Sequence, residues 1–323
     1  MKKGIRLIVA GLVALVILSL FTVLYCNSGI HITNQSGATD YKWESNQLKT
    51  TMTEGFSWFR MDVNGFNNAY PPSKEINNLL MGSSHMEAIE ISPLDNTGYL
   101  LNEMIPGYTY NIGISGHQIY NCVRNMSDAI TEYAPDQFVI IETDRVDLNV
   151  ESMLQVLNDT YPRIPSYDYG ITYLLQKYIP AVKHIYNQID VWKNGIEGMT
   201  VENDKNDNEY EALLCKFLKK AHDDATTSGA KLVIFYQPPT LIDEKGKLIA
   251  ETKAEKLELF KKTCEANEII FVDMGPAFEE LYENENILAH GFINTSVGEG
   301  HLNKYGHRVV AEKLAEKIRE ESR

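Results

Sequence analysis

Short apolar segments that alternate with longer amphipathic segments limit the folds open to this chain more than any other feature of its sequence. The apolar segments have the length of buried strands, and the amphipathic ones have the period of helices. The predicted strands are residues 76–81, 108–112, 138–141, 231–236 and 269–272. The predicted helices are residues 118–132, 148–157, 208–227, 253–266 and 304–320. Because alternating strands and helices form βαβ units, the pattern predicts an α/β fold, a three-layer α/β/α sandwich with about five parallel strands and a flavodoxin-like plan.

The stretch between the third and fourth predicted strands is far longer than one crossover helix requires. We therefore expect an insertion at about residues 161–209 within a domain that spans residues 75–323. The insertion is rich in tyrosine, at Tyr161, Tyr167, Tyr169, Tyr173, Tyr178 and Tyr186. Two interpretations stay open: a packed helical flap, or an aromatic groove that binds sugars or acyl chains.

One strongly apolar segment lies near the N-terminus. Residues 7–25 are apolar over about the length that a helix needs to cross a bilayer. Lys2, Lys3 and Arg6 precede this segment, and such positive residues favour the cytoplasmic side of a membrane. The sequence therefore predicts a cytoplasmic tip and a single-pass transmembrane signal anchor at residues 1–26. The domain that follows is expected on the outer side of the cell membrane.

Two processing alternatives remain for this segment. It resembles a cleaved signal peptide, or the signal of a lipoprotein attached through Cys26. Both processing sites prefer small residues, whereas Tyr25 precedes the cysteine, so we favour the uncleaved anchor. Residues 27–74 are polar with scattered aromatics. The first half is expected to form a stalk, and the rest an N-terminal extension that packs on the domain.

The charge and the missing motifs exclude several classes of partner. The chain carries a net charge of −14, and an acidic surface repels nucleic acid. The four cysteines show no CxxC or zinc-type spacing, and the sequence has neither an HExxH motif nor a lysine-containing phosphate loop. We therefore predict no cofactor, no metal and no nucleic-acid partner.

The first candidate for chemistry is the sequence Gly82-Ser83-Ser84, which follows the first predicted strand. Glycine permits a tight turn at the end of a strand. A serine after that turn has its backbone N–H near a helix N-terminus, where developing negative charge is stabilised. The motif favours one of the two serines, Ser83 or Ser84, as a nucleophile. A simple helix cap would show the same residues.

The second candidate is His301, in a loop that leads into the last predicted helix. A serine nucleophile needs a base within hydrogen-bond reach. A histidine in this loop would lie above the sheet, near the end of the first strand. His301 is therefore the predicted base, although a histidine at the surface or in a cap would fit the same position.

Taken together, these motifs resemble the blocks of the SGNH/GDSL-like hydrolase family. The family's Gly-Asp-Ser block is matched by residues 82–84, with serine in place of aspartate. This Gly-Ser-Ser version is similar to cell-surface members, among them the extracytoplasmic protein that takes part in D-alanyl transfer to lipoteichoic acid. The second block resembles residues 111–116, and the last block resembles residues 301–306. The resemblance implies the SGNH hydrolase fold, with Ser84 as nucleophile and His301 as base.

The resemblance also implies an oxyanion hole and an acid, and here the chain departs from the family. The backbone N–H groups of Ser84 and Gly116 match two oxyanion donors. The third donor should be an asparagine, but after the third strand the chain has Glu142-Thr143-Asp144-Arg145. Thr143 is the predicted donor, and Arg145 is the alternative. The family's aspartate position holds Gly298, so Glu299 is the predicted acid, and a Ser–His dyad is the alternative.

The expected function is that of a membrane-anchored serine esterase that removes O-acyl or O-acetyl groups, with an acylated glycan or cell-wall polymer as substrate. This substrate class follows from the resemblance and the expected location. One alternative is an O-acyltransferase that works with a membrane-bound O-acyltransferase partner. Another is a binding or scaffold protein on a decayed SGNH fold, which the missing asparagine and aspartate would explain.

Overall fold

The computed structural model describes residues 2–25, 29–52, 54–70, 75–163, 207–251 and 253–321. Most of the insertion expected at residues 161–209 lies outside the described residues, so both interpretations of it stay predictions. In chain order the strands are β1 (His31–Thr33), β2 (Tyr41–Trp43), β3 (Leu48–Thr51), β4 (Ser57–Arg60), β5 (Asn78–Met81), β6 (Thr109–Asn111), β7 (Phe138–Thr143), β8 (Lys231–Tyr236), β9 (Thr240–Ile242), β10 (Leu248–Ala250) and β11 (Ile270–Asp273). The helices are α1 (Lys2–Tyr25), α2 (Ser84–Glu87), α3 (Thr97–Met104), α4 (Ile119–Tyr133), α5 (Val150–Leu157), α6 (Asp207–Thr226), α7 (Ala254–Ala266), α8 (Gly275–Glu285) and α9 (Lys304–Glu321).

A five-stranded parallel sheet forms the centre of the domain, in the order β6-β5-β7-β8-β11. Numbered along the chain, these strands have the order 2-1-3-4-5, which is that of a flavodoxin-like sheet. The predicted α/β fold is therefore confirmed. The chain continues from β5 to β6 on one side and from β7 to β8 on the other, so the switch point, and with it the crevice expected to hold a site, lies at the carboxyl ends of β5 and β7.

Helices cover both faces of this sheet, which explains why its central strands are buried. All residues of β5 and β7 are buried, as expected for parallel strands between two helical layers. One apolar core lies between the sheet and α4, α5, α6 and α7, and includes Val123, Phe217 and Phe260. A second core lies on the other face with α3, α8 and α9, and includes Phe278 and Leu314.

Two helices, α3 and α8, were not predicted from the sequence. Helix α3 has only eight residues and contains Gly98, which disfavours a helix on propensity alone. Tertiary contacts outweigh this preference, because Asn96 caps the helix at the Tyr99 N–H and Gly98 lets Asn111 approach closely. Helix α8 begins with Gly275 and a proline, residues that usually indicate a turn.

The first half of residues 27–74 is not the stalk that its polar composition suggested. Strands β1 and β2 pair, and β3 and β4 form an antiparallel hairpin, so this extension is folded. Trp43 is only 3% exposed and packs with Met61 and Ile89, while its indole N–H donates to Glu87 at 2.6 Å. The extension is thus joined to α2, next to the predicted nucleophile.

Helix α1 contains a stretch, Lys3–Thr22, that is long and apolar enough to cross a membrane, with a mean hydropathy of 2.5. This is consistent with a single-pass anchor, and equally with a signal peptide, because both have a helix of this kind near the N-terminus.

If the extension is part of the folded domain, Trp43→Ala should destabilise the protein strongly. Loss of a buried tryptophan typically costs about 3–5 kcal/mol in the free energy of unfolding. The control is Trp58→Ala, since that indole is 59% exposed and such surface changes stay within about 0.5 kcal/mol. Denaturant unfolding of the detergent-solubilised chain measures both, and equal effects would contradict a folded extension.

Candidate active site

The turn after β5 presents Ser84 at the carboxyl end of the central strands. Gly82 is required here, because a Cβ at this position would lie 2.6 Å from the Met86 side chain and 2.8 Å from that of Glu142. Ser83 is the N-cap of α2, and its hydroxyl oxygen accepts from the His85 N–H at 3.2 Å. The capping role thus falls to Ser83, and Ser84 is the first residue of the helix.

The hydroxyl of Ser84 contacts the imidazole of His301. Ser84 Oγ and His301 Nε2 are 2.8 Å apart, and His301 Nδ1 lies 2.6 Å from Glu54 Oε2. The carboxylate of Glu54 accepts at Nδ1, so the proton of a neutral imidazole belongs on Nδ1. Nε2 is then free to accept the Ser84 hydroxyl proton, which is the arrangement of a serine, a base and an orienting acid.

The carboxylate beside His301 is Glu54, and not Glu299 as the sequence suggested. Glu299 is exposed in a loop whose neighbours Gly298 and Gly300 both have positive φ, at +75° and +97°. Glu54 comes from the turn of the β3–β4 hairpin and also accepts from the His301 backbone N–H at 2.6 Å. A Cβ at Gly300 would overlap the Glu54 carboxylate, so this glycine makes room for the acid.

Sequence reasoning missed Glu54 because it belongs to no motif and lies 247 residues from its partner. Its only signal was indirect. The extension that contains it is rich in aromatic residues, which suggested packing against the domain without indicating a function.

A second carboxylic acid, Glu90, lies on the same side of the imidazole. Glu90 Oε1 is 3.7 Å from His301 Nδ1, and the side chain is almost fully buried. Its Oε2 atom has no hydrogen-bond partner among the described residues. Burial raises the pKa of Glu90 to about 7, with Glu87 and Glu54 adding to the rise and His301 opposing it.

The acids hold His301 ready to carry positive charge. Burial by itself would lower the pKa of His301, but the hydrogen bond to Glu54 and the charges of Glu90, Glu54 and Glu87 raise it above its ordinary value. Burial likewise acts to raise the pKa of Glu54, and its two hydrogen bonds to His301 lower it overall. Both shifts favour a protonated imidazole next to an ionised carboxylate, the state that forms when His301 takes a proton.

Three other histidines surround His301 and stay neutral. The ring of His85 lies 5.1 Å from that of His301, and its pKa is well below the ordinary value because of burial and the charge of His301. Burial also lowers the pKa of His290 to about 4 and that of His307 to about 3. Of this group, only His301 is suited to act as a base near neutral pH.

A buried polar chain fixes the loop that carries the serines. Glu142 accepts from the Ser83 backbone N–H at 2.7 Å and from Gln237 Nε2 at 2.9 Å. Gln237 Oε1 lies 3.0 Å from His290 Nε2, so that nitrogen carries the proton of the neutral ring. The sequence drew no attention to Glu142 and Gln237, yet they anchor the turn below Ser84.

The second loop of the site is held against α2. Asn111 Nδ2 donates to the Met86 carbonyl at 2.6 Å, and Asn111 Oδ1 accepts from the Gly113 N–H at 2.9 Å. A Cβ at Gly113 would lie 2.6 Å from the Glu87 nitrogen, so glycine permits this close approach. Ser115 then hydrogen-bonds to Glu87, which places the Gly116 loop beside the helix that carries Ser84.

Of the three predicted oxyanion donors, two are free to donate in the part of the chain that the structure describes, and one is not. Within the described chain, the backbone N–H groups of Ser84 and Gly116 donate to no other protein atom, and Gly116 has a φ of +83°. Thr143 does not fit the third role, because its hydroxyl donates to the Arg145 carbonyl at 2.7 Å. Its only donor hydrogen is therefore used inside the loop. Arg145 itself pairs with Asp144 at 3.1 Å.

The acid cluster could in principle also bind a cation. One donor atom each from Glu54, Glu90 and His301 lies within 4.8 Å of the others, and carboxylate and imidazole are common ligands of divalent metals. However, the 2.6 Å hydrogen bond between Glu54 and His301 uses the same atoms. The hydrogen-bonded arrangement explains their geometry without a metal.

The electrostatic role assigned to Glu54 predicts the titration of His301. Glu54→Gln should lower the pKa of His301, because it removes the charge and the acceptor that stabilise the imidazolium. Glu299→Gln should leave this pKa unchanged, since that side chain is exposed. NMR titration of the histidine ring protons measures both variants. A pKa that responds to Glu299 and not to Glu54 would contradict the assignment.

No protein-family model and no curated protein matches the chain, but several solved structures are similar to it. An acetyl xylan esterase, AlAXEase, has 16% identity and a TM-score of 0.41, over 73% of this chain and 97% of its own. A member of the lipolytic protein G-D-S-L family from Veillonella parvula has 17% identity and a TM-score of 0.39, over 74% and 96%. Protein YXIM from Bacillus subtilis has 12% identity and a TM-score of 0.45, over 87% and 72%.

Proteins described as G-D-S-L or SGNH members recur among these structures, as the sequence motifs led us to expect. At these identities and TM-scores the similarities say nothing about substrate. What the chain can do follows from its own strand order and from the contacts of Ser84, His301 and Glu54.

Proposed function

We propose that this chain is an SGNH-type serine esterase that cleaves O-acyl esters, with Ser84, His301 and Glu54 as its catalytic residues. The observation that carries the proposal is the continuous contact from Ser84 Oγ to His301 Nε2 at 2.8 Å and from His301 Nδ1 to Glu54 at 2.6 Å. An activated serine requires this sequence of nucleophile, base and orienting acid.

In the proposed reaction, His301 Nε2 takes the proton of Ser84 while Ser84 Oγ attacks the carbonyl carbon of the ester. The backbone N–H groups of Ser84 and Gly116 stabilise the oxyanion, and the protonated imidazole is stabilised by Glu54. His301 then gives its proton to the departing alcohol, which leaves an acyl group on Ser84. Water, which gives a proton to His301, then attacks the acyl-enzyme, the bond to Ser84 Oγ breaks, the carboxylic acid leaves, and His301 returns the proton to Ser84 Oγ.

The hydrogen bonds that link Ser84, His301 and Glu54 favour an enzyme over a non-catalytic scaffold protein. A decayed site has no reason to retain a partly buried carboxylate hydrogen-bonded to a base with a raised pKa, and a serine in contact with that base. With Thr143 used elsewhere, the proposed oxyanion hole has two backbone donors, one fewer than the family pattern. Loss of one donor typically lowers turnover by about 100- to 1000-fold, so we expect a slow esterase.

The proposal also includes the location of the domain and the class of its ester substrate. If α1 stays uncleaved, the domain lies outside the cell membrane, where O-acylated glycans and cell-wall polymers are the accessible esters. Transfer of the acyl group to a sugar hydroxyl would use the same residues, with or without a membrane-bound O-acyltransferase partner. Product analysis with and without an added polyol acceptor would separate hydrolysis from transfer.

An activated serine should react with a fluorophosphonate probe, and Ser84→Ala should abolish this labelling. Ser83→Ala is the matched control, because Ser83 Oγ acts as a cap and does not contact His301. We expect the control to keep most of its labelling after allowance for a loss of about 1 kcal/mol in helix capping. Labelling that survives in Ser84→Ala, or that vanishes only in Ser83→Ala, would refute Ser84 as the nucleophile.

Glu54→Gln should lower the rate of p-nitrophenyl acetate hydrolysis by roughly 100- to 10,000-fold, as expected when the group that orients the base is neutralised. The rate should rise as the pH rises through the pKa of His301, because only the neutral imidazole is a base. Since Glu54 raises that pKa, the acid limb of the profile should move to lower pH in the variant.

Glu299→Gln serves as the control for this measurement and should keep the wild-type rate and pH profile. The opposite result, a large loss for Glu299→Gln with a near-normal Glu54→Gln enzyme, would show that the acid had been assigned to the wrong loop.

A further inference from the structure

The hairpin that supplies Glu54 also contacts the membrane-type helix. Helix α1 packs against β3, and Thr22 near the end of the helix is almost fully buried. Strand β1 begins only six residues after α1 ends at Tyr25, a span of at most about 20 Å when extended. The domain is thus held close to the surface of any membrane that α1 crosses.

The two faces of the β3–β4 hairpin have different surroundings. Ser57 and Phe59 point toward the domain, where the Ser57 hydroxyl donates to the Ile89 carbonyl and Phe59 packs against the Trp43 cluster. Because side chains alternate along a strand, Thr50 and its cross-strand partner Trp58 lie on the opposite face.

This outward face is the one next to α1. Thr50 faces away from the domain and is nevertheless fully buried, and α1 is the helix that contacts its strand. Trp58, directly across from Thr50, remains 59% exposed. An exposed tryptophan therefore stands beside the outer end of a helix long enough to cross a bilayer.

Other exposed apolar side chains surround the same edge of the site. The loop at residues 291–300 is tied to the hairpin turn, since Asn294 Oδ1 accepts from the Gly55 N–H at 2.8 Å and Asn294 Nδ2 donates to the Met52 carbonyl at 2.8 Å. These two segments carry Glu54 and lead to His301. They also carry five exposed apolar residues, which we call the apolar rim: Met52, Phe56, Trp58, Ile293 and Val297.

We propose that the apolar rim docks on the outer surface of the membrane that α1 spans. Aromatic residues favour the membrane interface, and an apolar patch of this kind on an otherwise acidic domain fits a lipid surface better than water. The substrate would then be an acyl ester carried by an amphiphile in that membrane. This last step rests on the proposed esterase function, whereas the docking itself does not.

The docking is tested with the full chain in phosphatidylcholine vesicles that contain lipids brominated near the headgroup. Bromine quenches tryptophan fluorescence on contact, so part of the emission should be quenched, and Trp58→Phe should remove that part. The matched control is Trp43→Phe, because Trp43 is 3% exposed and should contribute no quenched emission. Its quenched component should equal that of the wild type.

Quenching that is the same in wild type and Trp58→Phe would overturn the docking. If the chain is dimeric in the membrane and Trp58 emission is shielded from bromine, the apolar rim contacts a second copy of the chain. That result would also overturn the docking. Neither readout depends on esterase activity, so a failure of docking and a failure of the proposed function are distinguishable.

The consequence for substrate is tested with the double variant Phe56→Ser and Trp58→Ser. Hydrolysis of soluble p-nitrophenyl acetate should stay unchanged, and hydrolysis of an amphiphilic ester embedded in the vesicles should fall by at least about 10-fold. Equal rates on the embedded ester would contradict the substrate class. A parallel loss on both esters would place these residues in the active site and also contradict it.

Discussion

The hydrogen bond between Glu54 and His301 is the interaction on which the site depends. It joins residues 247 positions apart, and it exists only because the N-terminal extension folds onto the carboxyl end of the sheet. Without it, His301 would lie in a glycine-rich loop with no fixed orientation toward Ser84. The extension therefore supplies one residue of the candidate site, and the hydrogen bond from Trp43 to Glu87 joins it to the helix that carries Ser84.

Burial gives the site its electrostatic character. Histidines that have no carboxylate partner, such as His290 and His307, have strongly lowered pKa values, whereas the acids around His301 raise its pKa. The same low-dielectric surroundings raise the pKa of Glu90 to about 7. The pKa of Glu90 and that of His301 are thus both raised, and the charge of each group acts on the protonation of the other.

The fold was predictable from periodicity, because buried parallel strands and amphipathic helices leave direct marks in the sequence. The predicted strand at 231–236 has the bounds of β8, and the last predicted helix differs from α9 by one residue. The first half of the polar extension was wrongly predicted to be a stalk. Its short strands show no hydrophobic periodicity, because contacts with distant residues stabilise them.

The site was predictable only where its residues lie in local motifs. Ser84 and His301 follow from such motifs, and the structure brings them into contact. Glu299 was chosen by its proximity in sequence to His301, but glycine turns on both sides leave it in solvent. Thr143 was chosen by its position after a strand, and a local hydrogen bond to Arg145 occupies its hydroxyl. In both cases local backbone geometry that spacing does not reveal decided the outcome.

The most direct test of this account is a double-mutant cycle on Glu54 and His301, with p-nitrophenyl acetate hydrolysis as the readout. If Glu54 acts only through the imidazole, Glu54→Gln should lower the rate strongly in the wild type and have almost no further effect in His301→Ala. Losses that multiply in the double variant would show that the two residues act independently. That result would contradict the central claim that a carboxylate from the extension orients the catalytic base.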